Sequence, residues 1–131
     1  MNEPNEVKPL LAILEVGACP DITALAARAG FAAVLSRTMR KGLPLLRTLH
    51  PAVVVAEFVY GPVYGSRISN FESLMAGLQR DAPYAKLVAL VDKEDRPHLE
   101  RLEGRFPLFA MLGLPLRPEA LLTALQQAAM D

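Results

Sequence analysis

The sequence predicts a single α/β domain in which a parallel β-sheet is covered by helices on both faces. Short runs of residues are apolar at every position, as strands covered on both sides require. Each run is followed by a segment with apolar residues at helical spacing. The chain has 131 residues and is 52% hydrophobic, which suits one domain with a substantial core.

Five aliphatic runs are the predicted strands. They cover residues 10–14, 31–35, 53–56, 85–91 and 108–112. The third run is the most informative because it leads directly into the carboxylate of Glu57, and a turn at Gly61 and Pro62 follows closely. In open parallel sheets, ligands bind at the carboxyl ends of the strands. Glu57 is therefore expected where a site would lie.

Five helical patterns alternate with these strands. The first follows Asp21, a candidate N-cap, and ends at Gly30. The second is predicted over residues 36–49, although Gly42 and Pro44 weaken it. The remaining three cover residues 67–80, 96–103 and 118–130. Regular alternation of strand and helix favours a flavodoxin-like sheet with the strand order 2-1-3-4-5.

Charge and composition exclude several classes of partner. Fourteen basic and fourteen acidic residues cancel, so no overall field attracts nucleic acid or an anionic membrane. The apolar runs are far shorter than the roughly 20 residues that cross a bilayer. The single cysteine cannot form an internal disulfide, and the polar N-terminus lacks the features of a signal peptide. We expect a cytoplasmic protein in which residues 1–8 form a flexible lead-in and residues 9–131 form the domain.

Five βα units of this length resemble the receiver domain of two-component response regulators, and the resemblance covers nearly the whole chain. Residues 50–57 resemble the third receiver strand, which ends in the phosphorylated aspartate, so Glu57 falls on the phospho-acceptor position. Residues 114–122 resemble the segment after strand five, where receivers carry Lys-Pro. Pro115 fits this pattern, and Leu114 replaces the lysine.

The other positions of a receiver site depart from the family pattern. Glu15 and Val16 stand where receivers have the acidic pair that holds Mg²⁺. Val91 replaces the Ser or Thr after strand four, and Met111 replaces the aromatic switch residue. Phosphotransfer needs an aspartyl nucleophile, oxygen ligands for the metal, a hydroxyl and a lysine. The resemblance therefore implies a degenerate receiver with no catalytic residues, metal or other cofactor, acting independently of phosphorylation in bacterial signalling.

The resemblance also implies an interaction surface. In receivers, the face made by the fourth helix, the fifth strand and the fifth helix carries dimerisation or output contacts. A protein partner or a homodimer is expected to use the same face of this chain. Its candidate residues are Leu99, Arg101, Met111, Leu112, Gln126 and Gln127.

Three interpretations of Glu57 remain open from the sequence. It is a solvated carboxylate at a strand tip, a fixed-charge imitation of the phosphorylated aspartate, or a metal ligand together with Glu15. The imitation would be partial, because a carboxylate carries about one negative charge and a phosphoryl group nearly two.

The alternative function is a small flavodoxin-like phosphocarrier or enzyme that uses Cys19 or a ligand at the strand tips. The loop around Cys19 lacks the arginine of phosphate-binding loops, since Leu25 stands there, and Asp21 would repel phosphate. A structural thiol is favoured. His50 and His98 are predicted as surface histidines. The apolar residues Tyr60 and Tyr64 predict either a lid over the strand tips or a contact surface.

Overall fold

The computed structural model describes residues 7–17, 19–61 and 69–130. Five parallel strands form one sheet in the order β2-β1-β3-β4-β5, which confirms the predicted order. Their bounds are β1 Lys8–Ile13, β2 Phe31–Ser36, β3 Val53–Glu57, β4 Lys86–Val91 and β5 Ala110–Gly113. The predicted lead-in falls mostly on residues 1–6, which lie outside the described residues, and Lys8 already belongs to β1.

Helices connect the strands and cover both faces of the sheet, as predicted. Their bounds are α1 Ile22–Arg28, α2 Met39–Gly42, α3 Leu45–Leu49, α4 Phe71–Asp81, α5 Arg96–Glu100 and α6 Pro118–Met130. A 3-10 turn, Lys93–Asp95, precedes α5. None of the described helices is long and apolar enough to cross a membrane.

One predicted helix is wrong. Residues 36–49 do not form a continuous helix, because β2 includes Ser36 and the helical segment is divided into α2 and α3. Pro44 stands at the N-cap of α3. Proline has no N–H to donate to the preceding turn, so the interruption follows from residue type. The first and last helices agree with the predictions, although the Asp21 side chain makes no capping hydrogen bond.

Two apolar layers explain why the central strands are hydrophobic throughout. Alternate residues of β3 contribute to each layer: Val54 and Ala56 face the layer that contains α2 to α5, and Val53 and Val55 face the layer of α1 and α6. All five residues of β3 are buried. Both layers reach the carboxyl ends of the strands, so these ends are where polar residues meet the core.

The start of α4 determines how the chain leaves the strand ends. The backbone N–H and hydroxyl of Ser69 both donate to Glu72 Oε1, at 2.7 Å and 2.5 Å, and Ser69 Oγ accepts from the N–H of Phe71. Glu72 accepts from the Ser69 N–H as the glutamate of a capping box does, and the Ser69 hydroxyl satisfies the N–H of Phe71. The helix therefore begins at Phe71, later than the predicted residue 67, and Asn70 just before it is hydrogen-bonded to the end of β3.

Candidate functional site

Glu57, the last residue of β3, is buried at the carboxyl end of the sheet. It is 1% exposed, and its Oε1 accepts a hydrogen bond from the backbone N–H of Val16 at 2.6 Å. Val16 lies just beyond β1, the strand beside β3. This distance is short for an N–H donor and an oxygen acceptor. The interpretation of Glu57 as a solvated carboxylate is therefore wrong.

Asn70, which no local sequence pattern marks, joins the ends of two strands to the start of α4. Its Nδ2 donates to Glu15 Oε1 at 3.0 Å and to the carbonyl oxygen of Glu57 at 2.7 Å. Its Oδ1 accepts from the N–H of Val59 at 2.8 Å. Asn70 is 2% exposed. Both amide hydrogens and the amide oxygen are thus used within the protein, as burial of a polar group requires.

Glu15 is the second carboxylate at this end of the sheet. Its Oε2 accepts from the N–H of Met39 at 3.3 Å, where α2 begins, and its Oε1 accepts from Asn70. Both carboxylate oxygens therefore hold structural elements together. No group of three or more His, Cys, Asp or Glu residues capable of holding a metal occurs within residues 7–17, 19–61 and 69–130. Two carboxylates alone supply few of the six oxygen ligands that Mg²⁺ takes.

Val91 and Leu114 belong to different apolar layers of the protein. Val91 is fully buried in the layer that contains Phe58 and Met111, whereas Leu114 packs against the layer of α1 and α6. The β4 residue paired with Glu57 is Leu90. The Leu114 N–H donates to the Val91 carbonyl at 3.0 Å, and the peptide bond that joins Leu114 to Pro115 is cis.

Aromatic rings connect the end of β3 to α5. The Tyr60 ring stacks on His98, with 3.8 Å between ring centroids and 9° between planes. Tyr60 also lies 6.4 Å from Phe58, which contacts Phe71 edge to face at 5.2 Å. The prediction of His98 as a surface histidine is wrong in part, because this stack leaves it half-buried. Tyr64 lies outside the described residues.

His50 agrees better with its prediction. It is exposed and has a left-handed backbone at the end of α3, with φ of 51°. Its Nδ1 lies 3.2 Å from the hydroxyl of Tyr84, at the opposite end of the sheet from Glu57. His50 therefore takes no part in the strand-end cluster.

The Cys19 thiol is a poor candidate for a nucleophile. It is buried, and together with Leu14, Leu35 and Arg37 it lines a small cleft of about 190 Å³. Burial raises the pKa of Cys19 above its ordinary value; a backbone hydrogen bond at Asp21 lowers it, and the charges of Asp21 and Glu57 raise it further. A raised pKa leaves little thiolate at neutral pH, and the thiolate is the reactive form.

The predicted interaction face is only partly accessible. Arg101, Gln126 and Gln127 are exposed, and Met111 and Leu112 are half-buried. Leu99 is fully buried in the core, so its assignment as a contact residue is corrected. The sequence pattern could not exclude it, because a single apolar residue on a short helix faces inward or outward according to its neighbours.

No protein-family model and no curated protein matches this sequence. Solved structures do match. A response regulator receiver domain protein from Clostridium thermocellum has a TM-score of 0.72 at 19% identity, covering 95% of both chains. A CheY-like receiver domain protein from Methanospirillum hungatei JF-1 has a TM-score of 0.76 at 14% identity, also covering 95% of both chains.

A third match is the REC domain of AraT, a response regulator from Geobacillus stearothermophilus. Its TM-score is 0.76 at 12% identity, covering 95% of this chain and 94% of that domain. Each match spans nearly the whole of both partners, so the similarity extends over the complete sheet and its helices. The chain therefore has the fold of a response-regulator receiver domain, with a sequence that diverges strongly from those of its structural neighbours.

Proposed function

We propose that this chain is a receiver-like signalling module that acts through protein–protein contacts, without phosphorylation and without catalysis of its own. The observation that carries the proposal is the burial of Glu57. The receiver resemblance aligns Glu57 with the phospho-acceptor, yet its carboxylate is 1% exposed and accepts the Val16 N–H at 2.6 Å. A phosphodonor would have to displace this contact before it could reach the carboxylate.

The residues around Glu57 also favour a module that does not undergo a cycle of phosphorylation and dephosphorylation. The hydroxyl and the lysine that would bind a phosphoryl group are replaced by Val91 and Leu114, both apolar. Glu15 is engaged by Asn70 and Met39. We infer that Glu57 has a structural role: its carboxylate ties the end of β3 to the segment after β1 through the Val16 N–H, and its backbone carbonyl ties β3 to the start of α4 through Asn70.

We propose that the module signals through a contact surface whose conformation does not switch. The Tyr60 ring stacks on His98, so the segment that follows β3 is in direct contact with α5. Arg101, Gln126 and Gln127, with the half-buried Met111 and Leu112, would contact the protein partner. Leu99 would support this face from the core.

The first test is direct phosphorylation. We expect no phosphoryl adduct by intact-mass spectrometry after incubation with acetyl phosphate and Mg²⁺, whereas an active receiver domain treated in parallel becomes modified. An acid-labile adduct on Glu57 would contradict the proposal. The Glu57→Gln variant locates any adduct, because modification that persists in this variant lies at another residue.

The second test concerns the face. We expect a partner recovered by affinity capture to be lost by Arg101→Glu and retained by Arg47→Glu, which changes an arginine on α3 that is also exposed. Recovery should not depend on a phosphodonor. Recovery that requires acetyl phosphate, or equal loss in both variants, would contradict the proposed mode of action.

A further inference from the structure

The outer edge of β2 lacks the features with which proteins protect an exposed strand. β2 contains no charged residue and no proline, and its six residues pair with β1 in unbroken register. No strand in the described part of the chain pairs with its other side. Edge strands are commonly blunted by charges, prolines, bulges or short length, because their free N–H and C=O groups can pair with another chain.

The opposite edge of the sheet is protected. β5 has only four residues, and Pro107 and Pro115 stand close to its two ends. Proline cannot donate a hydrogen bond to an added strand. The two edges therefore differ in kind, and only β2 presents a long and uncharged edge.

The side chains of β2 form a projection and a groove on the same side of the sheet. Leu35, which is 42% exposed, projects on the α1 side, where it lines the cleft that contains Leu14 and Cys19. From the start of the strand to Ala33, an apolar groove of about 340 Å³ is lined by residues that include Val7, Ala27 and Phe31. Phe31 packs in the same layer as Leu14 and Cys19.

The hydrogen bonds of β2 show which peptide groups point outward. The carbonyl oxygens of Gly30 and Ser36 accept from the N–H groups of Lys8, at 3.3 Å, and Leu14, at 3.0 Å. Successive residues of a strand direct their N–H and C=O groups to opposite edges. The even-numbered residues therefore bond to β1, and Phe31, Ala33 and Leu35 direct theirs away from the sheet.

We propose that β2 pairs in antiparallel fashion with β2 of a second copy, about a two-fold axis through Ala33. In this register, Ala33 of one copy lies opposite Ala33 of the other, and Phe31 of each copy lies opposite Leu35 of the other. All outward groups of the three residues are then paired, with about six hydrogen bonds. Each exposed Leu35 meets the groove beside Phe31 of the other copy.

A second copy fits this edge better than an unrelated strand would. Any extended strand could use the free backbone groups, but Leu35 and the groove residue Phe31 stand two residues on either side of Ala33. Such self-complementarity is what a two-fold interface requires. This surface is at the opposite edge of the sheet from β5, so the inference is independent of the proposed partner face.

The oligomeric state tests the proposal. Sedimentation velocity over a range of concentrations should show a reversible dimer for the natural chain and for the control Arg47→Glu. Leu35→Lys should give a monomer, because the charge would enter the apolar groove. Ala33→Pro should do the same by removing an outward N–H while leaving the β1 ladder intact, with circular dichroism confirming that the fold is kept. A natural chain that is monomeric throughout, or a dimer unaffected by both variants, would overturn the proposal.

Cross-linking tests the register. In a Cys19→Ser background, Ala33→Cys should form an intermolecular disulfide, because residues on the two-fold axis of an antiparallel pair have Cα atoms about 5.5 Å apart. Ala32→Cys should not, because the two cysteines would be displaced by about 7 Å along the strands, which puts their Cα atoms beyond disulfide reach. Efficient cross-linking through residue 32 would overturn the proposed register.

Discussion

Glu57 and Asn70, at the carboxyl ends of the strands, are 1% and 2% exposed, whereas Val34 and Leu35, on the outer edge of β2, are 37% and 42% exposed. In the first region, both side chains are withdrawn from solvent and bonded to backbone groups, and Asn70 also donates to the Glu15 carboxylate. In the second, aliphatic side chains remain in contact with water. Both regions are formed by strands of similar length in the same sheet.

The difference in exposure separates a region whose side chains are already fully packed from one whose side chains could still be covered by another molecule. A buried polar group must be paired, so the contacts of Asn70 at the strand ends stabilise a single arrangement. An exposed apolar edge gains free energy when it is covered, at about 25 cal/mol for each Å² of apolar surface removed from water. We therefore expect the strand ends to behave as a structural element and the β2 edge to behave as a binding surface.

Removing Asn70 should have the largest effect on stability. Asn70→Ala deletes three side-chain hydrogen bonds and leaves the Val59 N–H and the Glu57 carbonyl without these partners. We expect a loss of about 3 kcal/mol in the free energy of unfolding, measured by urea titration.

The matched control for Asn70 is Gln127→Ala, which changes an exposed amide on α6 and should cost less than about 0.5 kcal/mol. Asn70→Asp keeps an acceptor for the Val59 N–H but sets a second carboxylate against Glu15, so it should be destabilising as well. If Asn70→Ala costs no more than the control, the closed strand ends do not depend on this network.

Restoring a receiver-type hydroxyl at Val91 should have the next largest effect. Val91 packs in an apolar layer with Phe58 and Phe71. Val91→Thr buries a hydroxyl there, so we expect a loss of about 2 kcal/mol, again from urea titration. Stability within about 0.5 kcal/mol of the natural chain would mean that the hydroxyl finds a polar partner, which would contradict the apolar surroundings described for Val91.

The buried thiol should make a smaller, pH-dependent contribution. Because the pKa of Cys19 is raised in the folded protein, chiefly by burial, the protonated thiol is favoured there. Its contribution to stability should be constant below the ordinary thiol pKa of about 8.5 and should decline as the pH rises above it. The difference in unfolding free energy between the natural chain and Cys19→Ser, measured against pH, checks the direction.

Alkylation by iodoacetamide gives an independent measure of the same thiol. We expect a slower reaction in the native protein than in the urea-unfolded chain. A native reaction that is faster would revive the interpretation of Cys19 as a nucleophile and would count against a closed strand end.

The smallest effect on stability is expected on β2, where a valine is again replaced by threonine. Val34→Thr alters a side chain that is 37% exposed, so the unfolding free energy should change by less than about 0.5 kcal/mol. The two Val→Thr substitutions form a matched pair that separates burial from residue type. Equal costs at both positions would remove the contrast between the layer around Val91 and the edge of the sheet.

The strand order, the coverage of both faces and the position of α6 could be predicted because they depend on local periodicity and on general rules for βα units. The division of residues 36–49 could have been predicted more firmly, since Pro44 is a local signal. The role of Asn70 could not be predicted from the sequence. Its partners, Glu15 and Glu57, are 55 and 13 residues away along the chain, and no local pattern brings them together.

The sequence by itself determined which segments are strands and that Glu57 ends the third. Only the tertiary structure decided which of these segments are covered. Residues 31–35 and 53–56 are equally apolar, yet Val34 and Leu35 are 37% and 42% exposed, whereas residues 53–56 are all buried. The folded chain also brings the Val16 N–H onto the Glu57 carboxylate. The physical reason is that periodicity is a local property, whereas burial depends on neighbours contributed by distant parts of the chain.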